Sequence, residues 1–136
     1  MTGALVLLAA LAATAVLAGW HRRRDGALRP RALTVDLRPL VPGPVGDRAT
    51  LLQFSSAFCA PCRATRRTLG EIADVVPGVT HVEVDAEAHL DLVRRLNIIK
   101  TPTTLVLDAS GREIVRASGQ PRKAEVLVAL GQAVPS

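Results

Sequence analysis

Phe58-Cys59-Ala60-Pro61-Cys62-Arg63-Ala64-Thr65-Arg66-Arg67 holds the only two cysteines of the chain, with a proline directly before the second. Before it, Ala49 to Phe54 (ATLLQF) is a short apolar run suited to a buried strand. After it, Cys62, Leu69, Ile72, Ala73 and Val76 fall at helical spacings until Pro77-Gly78 stops the pattern. Cys59 is thus expected at a strand-to-helix junction. A helix N-terminus offers unpaired N–H groups and about half a positive charge, which stabilises a thiolate, the form of cysteine that attacks. Cys59 is read as the attacking thiol and Cys62, one turn further in and more buried, as the resolving one. Pro61 fits the first turn, where its missing N–H costs nothing.

Two other uses of the pair are weaker. A disulfide across so short a loop removes little chain entropy, so it makes a poor staple. A zinc site needs about four ligands at short spacings. Only His21, His81 and His89 remain, the first beside the apolar N-terminus and the other two read as surface residues. No metal or other cofactor is expected, the working group being the Cys59–Cys62 couple itself.

Outward from the motif, the pattern reads as a helix over His89–Ile98 and strands over Thr80–Asp85, Thr103–Asp108 and Arg112–Ser118, the last two joined at Ala109-Ser110-Gly111. A final helix starts at Pro121, with Val126, Leu127 and Leu130 on one face. Strands alternating with helices argue a mainly parallel sheet covered on both faces, to which the hairpin adds an antiparallel strand. The chain is 49% apolar but has two Phe, one Trp and no Tyr, so its core must be aliphatic.

Gly3 to Trp20 carries no charge. As a helix it would span about 27 Å, close to the roughly 30 Å of a hydrocarbon core, with Trp20 at the interface. A cleaved signal peptide is the alternative, with Val16-Leu17-Ala18 as the cleavage site; the absence of a basic n-region favours an anchor. The net charge of +5 is concentrated in Arg22, Arg23, Arg24, Arg29 and Arg31, a membrane flank rather than a nucleic-acid surface. By the positive-inside rule the C-terminal domain is expected in the cytoplasm. The division expected is residues 1–21 as anchor, 22–47 as a basic, then Pro/Gly-rich linker, and 48–136 as the globular domain. Within the linker, Leu33–Leu37 (LTVDL) alternates and reads as an edge strand.

From about Ala49 to Val134 the chain resembles the thioredoxin family. The Cys-x-Pro-Cys motif is joined by Ile98 to Ile114 (IIKTPTTLVLDASGREI), similar to the family's second signature of Thr-Pro, strand, glycine turn and strand. The resemblance implies a thioredoxin-like α/β fold, a central mixed sheet with helices on both faces, preceded here by one transmembrane helix. It implies that Cys59, Pro61, Cys62 and Pro102 form the catalytic set and that Thr101–Pro102 is cis beside the cysteines. Thr101 is implied to offer its backbone to a substrate chain, with Phe58, Ala60 and Gly119 completing the substrate surface. The implied activity is thiol–disulfide oxidoreduction on protein disulfides, with a thiol or reductase as electron donor. Alternatives are an extracytoplasmic protein reducing apocytochrome c or exported thiols, and a non-catalytic binding module. The chain departs from the family at four points. Phe58 replaces the usual Trp, Ala60-Pro61 replaces Gly-Pro, Gln53 replaces a buried acid, and the family's first helix is absent.

Overall fold

The computed structural model describes residues 1–31 and 35–134. The chain opens with α1 (Thr2–Arg24), of which no residue is buried. Its mean hydropathy reaches 2.1 over its most apolar window, enough by length and composition to cross a membrane. At its C-terminal end the Arg24 guanidinium lies 3.8 Å from the centre of the Trp20 ring, one turn back.

Among the described residues the rest is a five-stranded sheet with helices on both faces. β1 (Leu28–Pro30), β2 (Ala49–Ser55), β3 (Val79–Asp85), β4 (Thr103–Asp108) and β5 (Glu113–Ser118) lie in the order β1-β5-β4-β2-β3. Only β2 and β3 run parallel; β2–β4, β4–β5 and β1–β5 are antiparallel. The sheet is therefore mixed and mostly antiparallel, a correction to the mainly parallel expectation. The reason is the passage from β3 to β4. It carries the chain to the far side of β2 and returns it in the opposite direction, so the alternation of strand and helix does not build a parallel neighbour.

Every residue of β2 is buried, because both faces of this strand are covered. On one face Leu51 and Val106 meet Leu69 and Ile72 of α2 (Ala60–Val75) and Val126, Ala129 and Leu130 of α4 (Lys123–Ala133). On the other, Leu52, Phe54, Val84 and Leu105 pack with Leu96 and with Leu37 and Val41, which flank a 3-10 turn at Arg38–Leu40. That turn, with α3 (Leu90–Arg95), covers this face of the sheet.

Parts of the stretch read as linker are thus built into the domain: Leu28–Pro30 join the sheet, and Leu37 and Val41 enter the core. The edge strand is Leu28–Pro30 rather than Leu33–Leu37. Val35 to Leu37 form no strand, and Leu33 and Thr34 lie outside the described residues. α3 is shorter than expected because Asn97 takes a positive φ of 54°, a conformation asparagine tolerates, and the Ile98 N–H turns back to the Val93 carbonyl. α4 starts after Arg122, and Leu127 faces outward while Ala129 and Ala133 are buried.

Candidate active site

β2 ends at Ser55, and three further residues bring the chain to Cys59, the N-cap of α2. Phe58 has a positive φ of 58° and is fully exposed, so the turn delivers Cys59 to the helix start at the surface. The Cys59 Sγ accepts the Cys62 N–H at 3.2 Å, as an N-cap acceptor does. Ala60 and Pro61 are exposed in the first turn, and Cys62 is buried at 1%. The two cysteines are joined as a disulfide, with their Cα atoms 5.2 Å apart. The accessible sulfur is therefore the one at the helix terminus, and the enclosed one lies behind it.

Thr101–Pro102 is cis, as the resemblance implied. Thr101 is tied to the cysteine loop through a 2.7 Å hydrogen bond between its hydroxyl and that of Ser56. Pro102 is buried, and its carbonyl accepts the Gly119 N–H at 2.7 Å. Gly119 has a φ of 105°, and a Cβ there would come within 2.5 Å of an Asp25 carboxylate oxygen. Its place is set by backbone conformation and by close approach together.

Beneath Cys62, Gln53 is completely buried. Its amide nitrogen donates to the Cys62 carbonyl at 2.9 Å and to the Ser55 hydroxyl at 2.8 Å. Its amide oxygen meets His81 Nε2 at 2.9 Å. Since an amide oxygen only accepts, His81 carries its proton on Nε2 in this arrangement. Beside this group the Ser55 hydroxyl donates to Glu83 at 3.3 Å, and Arg66 Nε donates to Glu83 at 2.7 Å. Where the resemblance implies an acid, this chain places a neutral amide with its hydrogen-bonding groups satisfied.

His81, read from sequence as a surface residue, is half-buried, a correction. The signal was available in the strand period. His81 and Glu83 lie two apart on β3, and β3 pairs in parallel with β2 at Leu51 and Gln53, so all four point to the α2 face. Burial holds the His81 imidazole below its usual 6.5; Glu83 opposes that shift and Arg66 adds to it. A histidine whose folded pKa is depressed gives stability that is present above the unfolded pKa and lost as pH falls toward the folded one. Stability is therefore expected to decline below about pH 6.5, and His81→Gln should flatten that decline. Denaturant midpoints of both proteins between about pH 5 and 8 check it; an unchanged slope in the variant would assign the decline to other groups.

Comparisons with known proteins bear on this arrangement. A family model described as Thioredoxin matches residues 45–132. Thioredoxin-2 of Pyricularia oryzae is 27% identical over 78 residues, covering 57% of this chain and only 46% of that protein. Thioredoxin of Mycobacterium bovis is 28% identical over 91 residues, covering 66% of this chain and 78% of the other. Among solved structures, a thioredoxin from Halobacterium salinarum superposes with a TM-score of 0.61 at 13% identity, over 66% of this chain and 78% of its own. Thioredoxin f from spinach chloroplast gives 0.59 at 22% identity, over 73% and 89%. At those identities the superpositions speak for the fold.

Proposed function

Because this chain belongs to the thioredoxin family, we propose that it is a membrane-tethered thiol–disulfide oxidoreductase acting as a protein disulfide reductase through Cys59 and Cys62. The observation that carries the reading is the asymmetry of the pair. One sulfur is accessible, caps a helix and accepts an N–H; the other is buried beside it.

In the proposed cycle the Cys59 thiolate attacks one sulfur of a substrate disulfide. A Cys59–substrate bond forms, and the other substrate sulfur leaves with the electron pair and takes a proton from water. Cys62 then gives up its proton and attacks the Cys59 sulfur, and the second substrate sulfur leaves as a thiol. Two electrons have passed from the dithiol to the substrate, leaving Cys59–Cys62 oxidised. A thiol or reductase donor returns the dithiol. Gln53 cannot take the Cys62 proton as a carboxylate would; its role is to fix the Cys62 carbonyl, and hence the first turn of α2, through the 2.9 Å bond. Thr101 would present its backbone to an extended substrate segment beside Cys59, with Phe58, Ala60 and Gly119 around it.

The anchor in this reading is α1, and the arginines that follow it favour the domain lying on the cytoplasmic side. An impermeant thiol reagent added to intact cells is expected to leave reduced Cys59 unmodified and to label it after permeabilisation. Labelling in intact cells would instead place the domain outside, where exported thiols and apocytochrome c are the relevant substrates.

A further inference from the structure

We propose that the substrates of this site are disulfides held close to the bilayer, carried on the juxtamembrane parts of membrane-anchored proteins. This rests on reading α1 as a membrane anchor and Cys59/Cys62 as the redox pair. What it adds comes from how the anchor joins the site.

The junction between them is short and built in. α1 ends at Arg24, and the Asp25 N–H caps it on the His21 carbonyl at 2.9 Å. The next residue is already part of the domain, since the Gly26 N–H donates to the Ser118 carbonyl at 2.8 Å. Leu28 then pairs with Ala117 as the first residue of β1. No free tether separates helix from sheet. The contacts, moreover, are with the residues that flank the substrate proline. Asp25 forms an ion pair with Lys100, one residue before Thr101. Its carboxylate also lies against Gly119, whose N–H holds the Pro102 carbonyl. A side chain at Gly26 would overlap the Gln120 carbonyl, so this packing is specified by two glycines with positive φ.

The distances follow. Pro102 lies about two or three Cα spacings from Asp25, on the order of 10 Å. Trp20, the interfacial residue of the anchor, is four positions before Arg24, about 6 Å along the helix. The substrate loop therefore stands roughly 15–20 Å from the aromatic boundary of the span. A cleft at the same junction is lined by Arg24, Arg29 and Arg31 together with the Asp25–Lys100 pair, so its charge is net positive. That basic surface is one that anionic headgroups attract. Phe58, directly before Cys59, is fully exposed, and Ile99, two residues before Thr101, is 85% exposed; both are apolar side chains suited to the apolar residues at the ends of membrane spans. A disulfide far above the bilayer would have to bend down to this loop; one beside the bilayer is already level with it.

The test uses the full chain in liposomes. One lipid-anchored peptide carries an intramolecular disulfide on a spacer of a few residues. A second raises the same disulfide on a rigid helix of about 30 residues, about 45 Å. A soluble disulfide protein serves as the common reference. The natural chain is expected to reduce the low disulfide at least tenfold faster than the raised one. Inserting about 60 Gly/Ser residues between Arg24 and Asp25, a flexible reach of about 40–45 Å, should bring the two rates within about twofold. Reduction of the soluble protein should be unchanged. Equal rates on the low and raised disulfides by the natural chain, or a preference that survives the insertion, would overturn the inference while leaving the redox reading intact. Failure to reduce the soluble disulfide as well would remove that reading, and this inference with it.

Discussion

Serine in place of Cys59 is expected to lower protein-disulfide reduction by at least about 10³-fold, to the rate of the background reaction. A hydroxyl keeps the shape of the N-cap and still accepts the Cys62 N–H, so the local geometry has reason to persist. What is lost is the nucleophile, because serine is not ionised under conditions where a helix-terminal thiol is. The Cys62 thiol is no substitute, since it is 1% exposed and faces inward. Loss of the disulfide complicates the comparison only slightly. A crosslink between residues three apart contributes about 2 kcal/mol at most on chain-entropy grounds, and the dithiol form of the natural chain provides the matched control. Turnover of a protein disulfide with excess dithiol donor measures the effect. A Cys59→Ser protein retaining more than about a tenth of the activity would mean that Cys59 is not the attacking group.

Glu113→Ala is expected to destabilise the domain by about 3–5 kcal/mol, a large share of the 5–15 kcal/mol that usually holds a domain together. Glu113 is completely buried and Arg116 is 7% exposed. The two are joined by two hydrogen bonds, at 2.5 and 2.9 Å. Truncating the acid leaves a buried guanidinium without its counter-charge, which costs much more than the pair is worth against an apolar replacement. Arg116 also donates to the Leu96 carbonyl at 2.7 Å, which holds the end of α3 where the chain departs toward Ile98 and Pro102. The loss should therefore loosen the loop that carries the cis Thr101–Pro102 bond as well as the sheet. Trp20, the only tryptophan, sits in α1 and does not report on the sheet. Hydrogen exchange of the β4 and β5 amides is the suitable measure, and Glu113→Leu with Arg116→Met should recover most of the loss. An alanine variant with unchanged exchange would show that solvent reaches Arg116.

Legibility of the fold in the sequence depended on element length. β4, with its run from Thr103 to Asp108, and α2, with its amphipathic spacing and Pro-Gly stop, are long enough for their periods to identify them. β1 is three residues ending in proline, too short to show a period, and its pairing is decided by β5, distant in sequence. The more regular Leu33–Leu37 attracted the edge-strand reading instead. Strand direction was illegible for a related reason. Alternation of elements says neither on which side of β2 the chain returns nor in which direction it then runs, and here β4 lies across β2 from β3 and antiparallel to β2.

Within the site, the cysteines, Pro61 and Thr101–Pro102 are local motifs and could be read as such. The groups behind them could not, because each needs a partner from elsewhere in the chain. Ser56 meets Thr101, Gln53 meets His81, and Asp25 meets Lys100. Glu113 and Arg116 look like ordinary charges of a solvated strand until the end of α3 is found over them, with the Leu96 carbonyl accepting from Arg116.

Attack of Cys59 on a protein disulfide is the step from which the rest of the proposed cycle follows. Cys62→Ala removes the resolving thiol while leaving Cys59 at the helix start, so the first covalent complex should accumulate. The reduced variant, mixed with a protein containing one accessible disulfide and analysed by mass spectrometry without reductant, is expected to give a one-to-one adduct joined through Cys59 and released by dithiothreitol. No adduct through Cys59, with the substrate disulfide left intact, would contradict the account.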